Sequence, residues 1–169
     1  MWIEILLLSK LAVEPMHGYE LRKAVEASTG HTLSNNSLYP TLRRFVDAGA
    51  VSRSAEEQEA KPPRHVYTVT DVGRELLHDL LADFPGELAL NEPEFLARVG
   101  NFAWLRPEER ARVLDVRKNA LVAERTRLGR LAAGQADPWS RAALQHVLGQ
   151  FDAELRWLAD LTTDPREHA

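Results

Sequence analysis

The segment from Ser34 to Phe45, SNNSLYPTLRRF, constrains the chain most, because it reads as a helix with two unlike sides. Leu38, Leu42 and Phe45 stand at i, i+4 and i+7, so they share one face and must be set against a core. Asn36, Ser37, Pro40 and Arg43 lie around the other side, with Tyr39 and Arg44 at its edges. That outer face offers amides, a hydroxyl and guanidinium groups, and the one acid nearby is Asp47. Such groups donate to base edges and to phosphates. Either Ser34 or Asn35 is the N-cap. An ordinary solvated helix can have the same composition, so the flanking segments decide between the two readings.

Upstream, Pro15 and Gly18 mark a turn between two apolar-periodic segments, Leu7 to Val13 and the one that opens with Tyr19-Glu20-Leu21. Downstream, Gly49 ends the helix as a left-handed C-cap would. Two β-type runs follow, at 50–53 and 65–69, separated by a polar loop. Thr70 is placed to cap a further helix that starts at Asp71. The order is helix, helix, helix, strand, strand, helix, which is that of a winged helix-turn-helix whose third helix enters the major groove.

The motifs HGYEL (17–21), SLYPTLRRFVDAGAV (37–51) and RHVYTVTDVGRELL (64–77) resemble the PadR family of bacterial transcriptional regulators, in the family's order and spacing over roughly residues 3–80. The remainder, about 82–162, is similar more loosely to the helical C-terminal domain of the members with a longer dimerisation region. The resemblance implies a mainly α (α+β) fold. Its N-terminal winged helix-turn-helix, with a two-stranded wing, would span 1–84. A linker at 85–92, a helical dimerisation domain at 93–162 and a tail at 163–169 would follow. It implies backbone contacts from Tyr19 and Tyr39; packing against the second helix is the plainer role for Tyr39. The other residues expected at DNA are Asn35, Asn36, Ser37, Pro40, Arg43 and Arg44 on the third helix, and Lys61, Arg64 and His65 on the returning strand. Arg44 has Asp47 at i+3 as an alternative partner. Pro40 is read as lying in the first turn, where its missing N–H costs little. The stretch Ala55-Glu56-Glu57-Gln58-Glu59-Ala60 departs from the family's glycine-rich, basic wing tip, since phosphates repel its glutamates.

Charge must act locally here. The net charge is −4, and residues 1–81 hold nine Lys/Arg against eleven Asp/Glu. Duplex DNA repels such a chain at long range, so attraction rests on the cluster Arg43, Arg44, Arg53, Lys61, Arg64 and His65. A winged helix that contacts proteins and not DNA is the alternative reading that this charge favours. Enzyme motifs are absent: there is no glycine-rich phosphate loop, His-Glu-x-x-His or nucleophile elbow, and no cysteine. His17 reads as a turn or capping residue and not as a metal ligand; no cofactor and no metal are expected.

Residues 2–13 are apolar almost all round, and a helix of that kind must be covered on two sides, here by its own core and by a second domain or subunit. The run Met1 to Leu8 lacks a basic start and carries Glu4, so a buried helix in a cytoplasmic protein is expected, with no membrane partner. The fourth helix, about 71–84, turns Val72, Leu76, Leu77, Leu80 and Phe84 inward. The fifth is expected at 93–104, with Phe95, Leu96, Val99, Phe102 and Ala103 in its stripe. The sixth runs from Pro107 to about Ala133, with Leu114, Leu121 and Leu128 seven apart. The seventh opens at Asp137-Pro138. In it Leu144, Leu148, Phe151, Leu155 and Leu158 alternate four and three apart, the seam of a helix packed along another. Two helices make only half a core, so a homodimer is expected, with Trp2 and Leu6 joining those five residues at the interface. Two winged helices related by a dyad would read a palindromic operator in double-stranded DNA. The family resemblance also carries a small-molecule effector, for which Trp2, Trp104 and Trp157 are candidate lining residues; core or interface packing is the plainer role for these aromatics.

Overall fold

The computed structural model describes residues 1–58 and 61–163, without the side chains of 57, 58, 61–63, 162 and 163. Its elements are α1 (Trp2–Val13), β1 (Met16–His17), α2 (Gly18–Thr29), α3 (Asn35–Asp47), β2 (Val51–Gln58), β3 (Lys61–Val69), α4 (Asp71–Ala82), α5 (Glu92–Val99), α6 (Pro107–Gly134) and α7 (Pro138–Thr163). Short 3-10 turns lie at Gly86–Leu88 and Phe102–Trp104. The fold is mainly helical with a three-stranded antiparallel sheet, as in a winged helix. Two compact units form: Met1–Asp83 together with Leu96–Leu105, and Phe84–Phe95 together with the chain from Arg106 onward. The expected tail lies, from residue 164 on, outside the described residues.

In the first unit α1 packs on α2, α4 and β3. Ile5, Leu6, Leu7, Leu8 and Ser9 are consecutive and all buried, and the Ser9 hydroxyl is satisfied by donating to the Leu6 carbonyl at 3.0 Å. A second domain or subunit, expected as the cover for the other side of α1, is not needed to bury these residues. Elements of its own unit lie on more than one side of it, and Leu6, expected at a dimer interface, keeps only 4% of its surface.

The sheet order is β1-β3-β2. The strand β1 was not expected; its two residues inside a Pro-Gly turn are too few to show a period of two, and only the pairings Met16↔Tyr67 and His17↔Val66 reveal it. The wing strands also run further than expected. Ser54↔Val66, Ala55↔His65 and Glu56↔Arg64 continue the ladder through the supposed loop, with an irregularity between Glu56 and Gln58. Pro62 and Pro63 fall where β1 no longer pairs with β3 and where the β2–β3 ladder is irregular, so no regular ladder demands both of their missing donors.

The exit from α3 is locked. Gly49 has φ 71°; its N–H donates to the Val46 carbonyl at 3.0 Å, and the Ala50 N–H donates to that of Phe45 at 2.9 Å. This is the paired closure of a Schellman motif, with buried Ala50 and Phe45 as its apolar contact. Thr70 then joins α4 to the same corner. Its N–H reaches the Ala50 carbonyl at 3.0 Å, its hydroxyl donates to the Gly49 carbonyl at 2.7 Å, and its oxygen caps α4 by accepting from Gly73 N at 3.1 Å. Helix α4 turns Gly73, Leu77 and Leu81 inward. Val72, expected inside, is 54% exposed, because the glycine at the next position is what the close approach demands.

The second unit is built on α6 and α7, which run antiparallel: Arg117 meets Glu154 and Arg125 meets Asp152. Its centre is polar. Arg117, 3% exposed, makes two bonds to Glu154 at 2.7 and 2.9 Å and one to the Ala89 carbonyl at 2.7 Å. Its guanidinium carbon lies 5.1 Å from the centre of the Phe95 ring. A bidentate pair with the remaining donor satisfied is the arrangement in which a buried ion pair is tolerated. Leu158 is buried, and Leu144, Leu148, Phe151 and Leu155 are half-buried. The Asp137 carboxylate caps α7 by accepting from Ser140 N at 2.6 Å, and that bond holds its carboxyl below the usual aspartate range. Helix α5 ends at Val99, five residues short of the expected end, and Leu96 is 43% exposed while Arg98 is fully buried. This end of α5 belongs to the first unit, where the Arg98 guanidinium donates to the Asp83 carbonyl at 3.2 Å, so a charged residue outside the expected stripe is the buried one.

A Cβ added at Gly73 would stand 2.0 Å from the Ala50 carbonyl oxygen, whereas one added at Gly149, within α7, would meet nothing within 4 Å. Gly73→Ala is expected to destabilise the protein by about 3 kcal/mol, and Gly149→Ala to stabilise it by roughly 0.5–1 kcal/mol, both read from urea unfolding.

Candidate nucleic-acid interface

Helix α3 carries its expected core face: Leu38, Leu42 and Phe45 are buried, joined by Thr41. Ser34 is the N-cap, its hydroxyl oxygen accepting from Ser37 N at 3.1 Å. Asn36, Pro40 and Arg43 are exposed. Asn35 is also exposed, but its side-chain oxygen accepts from Arg22 of α2 at 3.3 Å. Ser37 is half-buried, its hydroxyl 3.0 Å from that of Ser34. Pro40 is not in the first turn: with the helix starting at Asn35 it is the sixth helical residue. Its missing N–H therefore leaves the Asn36 carbonyl without the donor that a helix interior would supply.

Arg44 is set apart from Arg43. Its guanidinium donates to Glu4 of α1 at 2.7 Å, so its partner is Glu4 and not Asp47. Arg43 has no ion-pair partner among the described residues and remains free to reach outward.

Beside α3 the start of α2 builds an aromatic and cationic cradle. Tyr39 packs over Gly18, where an added Cβ would lie 3.0 Å from the ring; packing and partial exposure (41%) coexist in this tyrosine. The Tyr19 ring, equally exposed, has the Arg64 guanidinium carbon 5.6 Å and Lys23 Nζ 5.9 Å from its centre and is stacked on His17 at 5.9 Å. Its hydroxyl donates to Glu20 at 2.9 Å, and that hydrogen bond raises its pKa above the ordinary tyrosine value. A cavity of 350 Å³ opens between Tyr19, Tyr39, Arg64, His65 and Tyr67. Lys61 lies in β3, but its side chain is outside the described residues.

His17 has a fuller role than a turn residue. Its N–H donates to Glu20 at 3.0 Å, giving α2 its cap. Its ring Nδ1 is 3.1 Å from the His65 carbonyl, and Nε2 is 3.1 Å from Glu56. One glutamate of the acidic wing is thus drawn back onto the body and lies across from Arg64. Lys23 and Tyr67 were not among the expected site residues. Lys23 had a readable signal, standing four after Tyr19 on one helix face; Tyr67 had none, being an ordinary aromatic in a strand. Of the candidate effector residues, Trp2 lies 5.1 Å from the ring of His31 in the first unit, Trp104 is 43% exposed, and Trp157 stands edge-on to Phe95 in the second. None of the three lines the cavity above. Among the described residues there is no group of three metal-ligating side chains, and no helix is long and apolar enough to cross a membrane.

Residues 7–79 match the model of the Transcriptional regulator PadR-like family. A PadR family transcriptional regulator from Eggerthella lenta is 35% identical, over 47% of this chain and 69% of that one, with a TM-score of 0.43. The chain belongs to the PadR-like family. This family is one of transcriptional regulators and not of enzymes. A putative transcriptional regulator from Thermoplasma acidophilum is 33% identical over 46% of this chain and 73% of that one, with a TM-score of 0.42. Bacillus subtilis PadR, in a structure with operator DNA, is 19% identical over 95% of this chain and 97% of that one, with a TM-score of 0.47. An uncharacterized 37.1 kDa protein in transposon TN4556 of Streptomyces fradiae is 39% identical over 74 residues, and the chain spans about a fifth of that protein's length.

The Glu20 carboxylate holds both His17 N and the Tyr19 hydroxyl, and these bonds, the His17 amide first, lower its pKa. A carboxyl lowered on folding adds stability that is present above its unfolded pKa and is lost as pH falls through the folded value. Glu20→Gln is therefore expected to lower stability at neutral pH and to flatten its decline below the usual glutamate range, as read from unfolding midpoints across an acid titration.

Proposed function

We propose that this PadR-like chain is a sequence-specific DNA-binding regulator, a repressor that acts as a homodimer on a palindromic operator. The observation that carries the reading is the outer face of α3, where Asn36, Pro40 and the unpaired Arg43 stand exposed beside the Tyr19, Lys23 and Arg64 cradle. Arg43 is suited to guanine or to a phosphate, Asn36 to adenine, and the phenols and cations to the backbone that flanks the groove. In this reading residues 1–84 read DNA and 93–162 pair two chains.

Apolar surface on the second unit supports the pairing. Val122, Leu131, Trp139 and Trp157 are 46%, 50%, 83% and 37% exposed, and Leu144, Leu148, Phe151 and Leu155 are half-covered. Where such side chains join into one contiguous patch on a helix pair, they mark an interface. A second copy would also bring a second α3 to the next turn of the same duplex face. The operator and an effector are matters for binding assays; p-coumaric acid, bound in a structure of the Bacillus subtilis protein, is a suitable first probe for loss of the DNA complex.

Fluorescence anisotropy with the gene's own upstream DNA, against a scrambled duplex at two salt concentrations, tests the reading. Saturable, salt-weakened preference for the upstream DNA is expected, with two chains per duplex. Arg43→Ala is expected to cost roughly 1–3 kcal/mol in that specific complex while sedimentation still shows a dimer. A flat or salt-insensitive titration would instead favour a winged helix that binds proteins.

A further inference from the structure

A second cavity, of 530 Å³, lies on the other side of Tyr39, His65 and Tyr67, in the angle between α3 and the root of the wing. Arg43 lines it from α3 and Arg53 from β2, and Asp47 of α3 is part of the same lining. Arg53 faces this side because it lies opposite Tyr67 in the ladder, and so shares a sheet face with Tyr67 and His65. Neither arginine has an ion-pair partner among the described residues, although Asp47 borders the same cavity. This contrasts with Arg44, which α1 holds through Glu4, and with Arg117, which the second unit buries against Glu154.

We infer that this cavity is a second backbone seat, taking one phosphodiester of the strand beside the groove that α3 enters, with Arg53 as its principal anion-binding residue. The inference rests on the DNA reading above. Two guanidinium groups that converge on one open cavity from different elements fit a tetrahedral anion, whose oxygens can be met from two directions. Tyr39, Tyr67 and His65 also line the cavity. Asp47 has the opposite effect to the two arginines: its carboxylate repels the phosphate and tempers the seat. Arg53 is a contact that carries no sequence information, because every nucleotide supplies the same phosphodiester.

Two exposed positions of opposite charge give the test. Binding of wild type, Arg53→Gln and Asp47→Asn is measured across a salt series, on a duplex selected from a random pool by the wild-type protein and on a scrambled duplex. Arg53→Gln is expected to weaken both complexes severalfold and alike, and to lower the slope of log affinity against log salt by about one. Asp47→Asn is expected to tighten both, an outcome that damage to the fold would not produce. The inference is overturned if both variants keep wild-type affinity and slope while Arg43→Ala still weakens the selected duplex; the regulator reading would then stand alone. If the wild type itself shows no salt-dependent binding to either duplex, the regulator reading falls and the seat falls with it.

Discussion

The Ala50 carbonyl is the point from which the geometry of α3 and the wing follows. It accepts from Thr70 N, it lies where a side chain at Gly73 would stand, and its own residue closes α3 through the bond to Phe45. One peptide thus joins the end of α3, the start of β2, the end of β3 and the first turn of α4. A helix that reads a groove must be held at a fixed angle to the strands that straddle the neighbouring backbone. Here that angle does not depend on long side chains. It is set by main-chain bonds and by the absence of one Cβ, which are the least adjustable contacts a protein has. Tyr39 is positioned by the same device at the other end of the helix, since Gly18 lets its ring lie against the start of α2.

On that rigid frame the charges are sorted. Glu4 engages Arg44, and His17 draws Glu56 toward the body. Exposed pairs of this kind contribute only about 0–1 kcal/mol to stability, so their effect lies in which charges they leave unengaged. Arg43 and Arg53 stay open on one side of the Tyr39–Tyr67 wall, and Arg64 and Lys23 flank Tyr19 on the other. Acids stand close to both groups, with Asp47 in the lining of the first and Glu20 and Glu56 beside the second.

Periodicity and caps made much of the first unit legible. The spacing of Leu38, Leu42 and Phe45, the Thr70 cap and the glycine after α3 are local signals, and the structure follows each of them. Pairings made at a distance in sequence were not legible. Strand β1 is two residues long and exists only through Tyr67 and Val66, and Arg44 finds its acid forty residues away, not three. Pro40 was misplaced because its cost depends on where the helix begins, and Ser34 and Asn35 were equally good caps on paper. Buried arginines were the other blind spot. Nothing in the strings around Arg98 and Arg117 separates them from solvated neighbours, because their burial is licensed by a carbonyl or a carboxylate that only the fold brings near.

The sign of the net charge bears on affinity, and the register of α3 on selectivity. Sequence-independent attraction to DNA grows with the number of phosphates neutralised and supplies nearly all non-specific binding. A chain at −4 with a handful of open cations keeps that component small. A regulator succeeds by the ratio of specific to non-specific affinity, multiplied over a genome of competing sites. A sequence-blind contact strengthens both kinds of complex alike, so that ratio is set by base contacts and by the register in which a reading helix is held. In the proposed DNA reading the rigid corner at Ala50 would hold α3 in register for base contacts, while the acidic surface would lower the occupancy of every DNA site alike.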